Sequence, residues 1–204
     1  MINKDLKVAV LGAGAMGCLF GGLLAEKGLN VILIKITMIN KDLKVAVLGA
    51  GAMGCLFGGL LSEKGLNVIL IDVWKEHVDA INKDGLKMDG HGGNRVIKVK
   101  ATSDASSLNK VDAVIVMCKA TALEPALNSV KNIMGDKTVF MSFQNGIGHE
   151  AIIQSIVGDE KVIGGTTTQA SNILGPGHIM NHGSLPSWIG EYEGGISDRI
   201  KEIA

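Results

Sequence analysis

Residues 1–37 recur almost letter for letter as residues 38–74, so the chain opens with one structural unit written twice. Of the 37 aligned pairs only four differ: Ala25/Ser62, Lys35/Asp72, Ile36/Val73 and Thr37/Trp74. Each copy reads Lys-Val-Ala-Val-Leu, then Gly-Ala-Gly-Ala-Met-Gly, then an apolar stripe, then Glu-Lys-Gly, then Asn-Val-Ile-Leu-Ile. That order is strand, tight turn, helix, turn, strand, the sequence form of a βαβ unit. In the second copy the stripe is Met53, Leu56, Phe57, Leu60 and Leu61, spaced to lay one helical face on a sheet, and Gly65 closes the helix. Two copies cannot make a solenoid, which needs three or more units to bury a continuous core.

The pattern continues beyond the repeat. Trp74–Asn82 reads as a helix, Asp84-Gly85 as a turn, and Arg95–Ala101 alternates like a strand. Val111–Met117 is a continuous apolar run, the signature of a strand buried on both faces. Helix Leu123–Met134, strand Thr138–Ser142, helix His149–Ile156 and strand Lys161–Thr166 follow, then strands at His178–Asn181 and Ser187–Glu191 and a helix at Ile196–Ile203. Alternating strands and helices predict an α/β fold: a doubly wound, Rossmann-type, mostly parallel sheet with an extra N-terminal βαβ unit. The expected division is 1–37, the duplicated unit, and 38–204, the dinucleotide-binding domain.

At 204 residues there is material for one well-buried domain and a small addition. Twenty basic residues balance twenty acidic ones without long like-charged runs, which argues against nucleic acid and for small-molecule partners. The three cysteines, Cys18, Cys55 and Cys118, form no disulfide framework, as expected of a reducing cytoplasm. Residues 8–25 carry no charge and hold a Gly17/Gly21 pair, so a membrane helix has to be considered. Five glycines dilute that segment, which divides into strand, turn and helix, so no membrane role is expected.

A Gly-x-Gly-x-x-Gly that leaves an apolar strand and opens an amphipathic helix has the context of a dinucleotide site. Its glycines serve a tight turn, close approach of the backbone to the pyrophosphate, and close packing of helix on strand, while the helix N-terminus offers N–H donors. The candidate cofactor residues are Gly49, Ala50, Gly51, Ala52, Met53 and Gly54, with Asp72 at the end of the second strand, 23 residues after Gly49. A carboxylate there accepts hydrogen bonds from ribose hydroxyls and repels a 2′-phosphate, by up to roughly 4 kcal/mol at about 4 Å and an effective dielectric near 20, before screening. NADH is therefore expected over NADPH. Lys35, the equivalent in the first copy, would favour the 2′-phosphate. The second copy runs directly into the remaining strands and is expected to hold the nucleotide. The first carries Val8, Val10, Leu11 and Val31–Ile34, and is expected to add to a sheet edge, swap into another subunit, or promote aggregation.

Three further segments, Met117-Cys118-Lys119-Ala120, Phe143-Gln144-Asn145-Gly146-Ile147-Gly148 and Gly165-Thr166-Thr167-Thr168-Gln169-Ala170, follow the fingerprint in this order. Together, over residues 38 to about 193, they resemble the N-terminal domain of ketopantoate reductases (2-dehydropantoate 2-reductases). That resemblance implies reduction of a small keto acid, 2-dehydropantoate, to pantoate with NADPH, in pantothenate and coenzyme A biosynthesis. It implies that Lys119 lies beside the cofactor, that Asn145 positions both substrate and nicotinamide, and that Ser171 offers its backbone N–H to the cofactor. Asp72 departs from the basic residue often found in NADPH-dependent members, leaving the choice between NAD and NADP open. The resemblance also implies a helical domain beyond Ala204, carrying a lysine general acid and a substrate-orienting glutamate. No residue here inherits those roles, so cofactor binding is expected to outlast catalysis; the alternative is a dinucleotide-binding module without turnover.

Other polar residues read as structural. His178 and His182 are four apart, but Gly177, Gly183 and Pro186 argue against a helix aligning them on a metal, so no metal is expected. His149-Glu150 reads as a solvated pair at a helix start, and Cys118 as a buried strand-end thiol.

Overall fold

A computed structural model describes residues 42–146, 148–183, 187–191 and 197–203. The first copy of the repeat, with every expectation attached to it, lies outside the described residues. The second copy forms β1 (Lys44–Leu48), α1 (Ala52–Glu63) and β2 (Asn67–Ile71), with the boundaries its pattern predicts to within a residue or two. Then come α2 (Lys75–Asp84), β3 (Leu86–Gly90), β4 (Arg95–Ile97), β5 (Lys100–Thr102) and β6 (Val111–Val116). They are followed by α3 (Leu123–Ser129), β7 (Met134–Ser142), α4 (His149–Val157), β8 (Val162–Thr167), β9 (Ser171–Gly175), β10 (His178–Asn181), β11 (Ser187–Glu191) and α5 (Asp198–Ile203).

Seven strands form one sheet in the order β11-β8-β7-β6-β1-β2-β5, parallel throughout except for β11 against β8. The apolar runs predicted for β1 and β6 are buried on both faces because alternate residues enter two separate cores. Val45, Val47, Ala113 and Ile115 pack with Cys55 and Leu56 of α1 and Val78 and Ile81 of α2. Ala46, Leu48, Val114 and Val116 pack with Leu123 and Leu127 of α3 and Ile153 and Val157 of α4. Helices cover both faces, as expected of a doubly wound sheet.

The sequence pattern did not reveal a second sheet, β4-β3-β10-β9, in which β10 runs parallel to β3 and the other pairs are antiparallel. The single strand expected at Arg95–Ala101 is broken at Lys98-Val99: β4 joins this small sheet while β5 edges the large one. Helix α1 lies between the two sheets, and two adjacent glycines allow it. A Cβ on Gly58 would come within 2.3 Å of Leu70 in β2, and one on Gly59 within 2.9 Å of Met88 in β3. Leu56, Leu70 and Met88 are fully buried around this helix, each contributing about 1.5–3 kcal/mol of apolar burial.

Helix α3 stops at Ser129, short of the predicted Met134, and a 3-10 turn at Lys131–Ile133 follows. The Ser129 hydroxyl donates to the Ala126 carbonyl at 2.7 Å, offering that carbonyl a partner outside the helical ladder. No helix among the described residues is long and apolar enough to cross a membrane.

Candidate functional site

Strand β1 is flanked by β2, which follows it through α1, and by β6, which begins a separate run of strands. The crevice at the carboxyl ends of β1 and β6 is therefore the switch point where open α/β sheets take ligands. The fingerprint turn sits there. Gly49 adopts φ +96°, and a Cβ on it would lie 2.4 Å from the Cys118 nitrogen at the end of β6. A Cβ on Gly54 would lie 1.9 Å from the Gly49 carbonyl oxygen, so these two glycines let turn, helix and neighbouring strand close on one another. Gly51 differs: among the described residues nothing lies within 4 Å of its would-be Cβ, and its φ is an ordinary −64°. It is the N-cap of α1, where no side chain among the described residues caps the free N–H groups. Backbone bonds brace the turn, from Gly49 N–H to the Ile71 carbonyl (2.8 Å) and from Met117 N–H to the Leu48 carbonyl (2.8 Å).

Asp72 follows β2 on the same edge. Its Oδ1 accepts the Trp74 N–H at 2.9 Å, which fixes the carboxylate across a short turn. The Trp74 ring stacks on His77 with centroids 4.8 Å apart and planes 16° from parallel. Ser62 donates to the Lys98 carbonyl at 2.9 Å. Thus three of the four positions that distinguish the copies, Ser62, Asp72 and Trp74, make contacts that Ala25, Lys35 and Thr37 could not reproduce. The fourth, Val73, is 93% exposed.

The remaining expected residues stand along the same edge on separate supports. Lys119 follows β6 as the extended N-cap of a 3-10 turn, with its side chain exposed. Asn145 follows β7 and is exposed. Between them Gln144 bridges the two strand ends, its Nε2 donating to the Cys118 carbonyl at 2.5 Å. Ser171 opens β9 in the small sheet, and its hydroxyl donates to the Met180 carbonyl at 2.8 Å. Burial pushes the half-buried Cys118 thiol above the ordinary range, against its own backbone N–H and with Asp72 adding to the rise. That is the environment of an unreactive thiol.

Two histidines depart from the sequence reading or were missed by it. His149 is 8% exposed rather than solvated, and its Nε2 lies 2.9 Å from the Asn145 carbonyl, close enough to brace the turn after β7. Gly146 makes room for it, since a Cβ there would lie 2.7 Å from the same nitrogen. His77 is fully buried and joins Cys55 of α1 to the β9–β10 turn. Its signal was available: His77, Val78 and Ile81 share the inward face of α2. Of the pair considered for a metal, His178 contacts Asp89 at 2.8 Å and His182 contacts Asn172. Among the described residues no three His, Cys, Asp or Glu side chains gather as metal ligands.

This arrangement offers free N–H donors beside an open space, a carboxylate at the far end of the edge, and a lysine and an asparagine on the next two strand ends. Known proteins with the same sequence features share its fold. The family described as ketopantoate reductase PanE/ApbA matches residues 8–41 and 45–194. The 2-dehydropantoate 2-reductase of Pyrococcus horikoshii is 39% identical over 198 residues, covering 97% of this chain and 52% of the relative. The crystal structure of 2-dehydropantoate 2-reductase from Geobacter metallireducens superimposes with a TM-score of 0.72 at 28% identity, over 79% of this chain and 54% of that one. A D-mandelate dehydrogenase solved with NADH and anilino(oxo)acetate superimposes with a TM-score of 0.66 at 36% identity, over 69% of this chain and 46% of that one. The chain spans about half the length of the curated relatives it matches. With the fingerprint turn, the Asn-Gly segment after β7 and the Thr-rich β8 all on one sheet edge, the chain belongs to the ketopantoate reductase family.

Proposed function

We propose that this chain is the nucleotide-binding part of an NADH-preferring reductase of small 2-keto acids, with 2-dehydropantoate as the first substrate to test. The observation that carries the proposal is the contrast within the fingerprint: Gly49 and Gly54 are filled against by protein, whereas Gly51 faces open space beside uncapped helix N–H groups. That space suits a pyrophosphate, which the α1 N-terminus would attract by hydrogen bonding and helix dipole. The ribose hydroxyls would meet Asp72, whose Oδ2 is not engaged in the turn that occupies Oδ1. Lys119 and Asn145 would stand at the nicotinamide end, with Asn145 aligning the substrate ketone and the Ser171 backbone N–H touching the cofactor. A bound nicotinamide would supply hydride to the ketone carbon. The residues of this chain would orient the reactants there, and the alkoxide oxygen would take a proton from a general acid, a role that the resemblance gives to neither Lys119 nor Asn145.

The second copy is the proposed site because Ser62, Asp72 and Trp74 are all engaged there. A second reading, binding without turnover by this chain alone, is favoured by the exposure of Lys119 and Asn145. Calorimetric titration with NADH and NADPH tests the proposal. One NADH per chain is expected, bound more tightly than NADPH, lost in Gly51→Ala and kept in Gly14→Ala. Failure to bind either nucleotide would overturn it. An assay of 2-dehydropantoate reduction then separates turnover from binding alone.

A further inference from the structure

Behind the fingerprint turn lies a buried polar chain that the proposed function does not use. The Gly177 N–H points at Nδ1 of His77 at 3.0 Å. A backbone N–H can only donate, so Nδ1 is the bare nitrogen and the neutral ring carries its proton on Nε2. Nε2 in turn lies 3.2 Å from Sγ of Cys55, and Sγ lies 3.1 Å from the Ala50 carbonyl oxygen. Donation therefore runs one way: Gly177 to His77, His77 to Cys55, Cys55 to Ala50. His77 and Cys55 are both fully buried, where an unpartnered polar group would be costly and an apolar pair would fill the same space.

The end of this chain is informative. Ala50 stands between the first two fingerprint glycines, and its peptide plane is shared with Gly51. A carbonyl and the following N–H point in opposite directions across a trans peptide. A thiol that holds the Ala50 carbonyl inward therefore holds the Gly51 N–H outward, toward the open space. The same imidazole stacks on Trp74, two residues after Asp72, so one side chain touches the supports of both ends of the adenosine half of the site.

We propose that His77 and Cys55 are positioning residues for the dinucleotide: their relay ties the small sheet to the pyrophosphate turn and aims the Gly51 N–H at the phosphates. The proposal rests on the nucleotide reading above. The charge states agree with it. Burial pulls the His77 imidazole below its ordinary value, against Asp72 and the Ala50 carbonyl, which favour the proton. Burial, with Asp72 adding to it, pushes the Cys55 thiol up to about 12, so both groups are neutral at pH 7.

The test compares NADH affinity by calorimetry in the unmodified chain, Cys55→Ala and Cys55→Ser, at a temperature where circular dichroism shows all three folded. Loss of one hydrogen bond corresponds to weakening of about five-fold in Cys55→Ala. Cys55→Ser, which restores a donor to the Ala50 carbonyl, is expected within about two-fold of the unmodified chain, a rescue that a packing role alone would not give. Affinity unchanged in Cys55→Ala, or an equal loss in Cys55→Ser, would overturn the proposal. Should Cys55→Ala not fold, long-range proton–nitrogen correlation spectra of the unmodified chain decide. A neutral His77 protonated on Nε2, with ring signals that move on adding NADH, supports the relay; protonation on Nδ1 or an indifferent ring refutes it. If the unmodified chain binds no NADH, the nucleotide reading itself has failed, a result separate from any effect of the variants.

Discussion

Around the β1–α1 turn, protein atoms stand within 2.4 Å of where a Gly49 side chain would begin and within 1.9 Å at Gly54, and backbone bonds lock the turn to β2 and β6. At the ends of β6 and β7 the supporting backbone is also held, bridged by Gln144 and braced by His149, yet the Lys119 and Asn145 side chains are exposed. The two regions divide the proposed labour. In the first, shape is made by close packing, so the residues that build the site also build the fold. In the second, the proposed chemistry would be carried by side chains standing clear of the core, so they should be changeable without disturbing the fold.

That contrast can be broken most severely at Gly54. Gly54→Ala should destabilise the protein by about 3 kcal/mol or more, because the added methyl meets backbone rather than a yielding side chain. Gly51→Ala should lower the unfolding free energy by no more than about 1 kcal/mol, the cost of alanine at an N-cap, while nucleotide binding is lost. Urea denaturation checks both, and equal midpoints for the two variants would erase the distinction between them. Asp72→Ala should be next in size, improving NADPH affinity by about ten-fold while changing NADH affinity much less. Equal changes in both, measured by titration, would remove Asp72 from the account of cofactor choice.

Acid should act on the first region through His77. Its folded value lies below the ordinary 6.5, so the unfolded chain takes up the proton more readily. The contribution is complete above about pH 6.5 and is lost as pH falls toward the depressed folded value. The urea midpoint should therefore drop between about pH 7 and pH 5 by more in the parent than in His77→Gln. The smallest effects belong to the second region: Lys119→Ala and Asn145→Ala should each change the unfolding free energy by no more than about 0.5 kcal/mol. A larger loss in either would show that the exposed residues also hold the fold.

The same division governed what could be read from sequence. The β1–α1–β2 unit was legible because its determinants are local: an apolar strand, glycines at fixed spacing and a helical stripe within thirty residues of one another. The small sheet was not. Lys87 of β3 pairs with His178 of β10, and the short strands Leu86–Gly90 and Ser171–Gly175 lie among glycines that suggest turns. Pairing across ninety residues leaves no mark in any local window. His77 is not singled out, because its burial depends on Gly177 arriving from a hundred residues away, whereas His149, read as solvated, is turned inward by the Asn145 carbonyl only four residues before it. Asn145, Lys119 and Ser171 are singled out by resemblance, since nothing in their spacing alone distinguishes them from ordinary strand ends.

Helix α1, enclosed by one sheet on each side, has a consequence for how a ligand would be felt. Its central amides are covered on both flanks, so they should exchange with solvent only when the whole domain opens. A nucleotide seated on the first turn of such a helix would grip the most slowly opening part of the molecule rather than order a loose loop. Occupancy should then register as slower exchange throughout the large sheet and as a rise in global stability of about 2.7 kcal/mol at a hundred-fold excess over Kd.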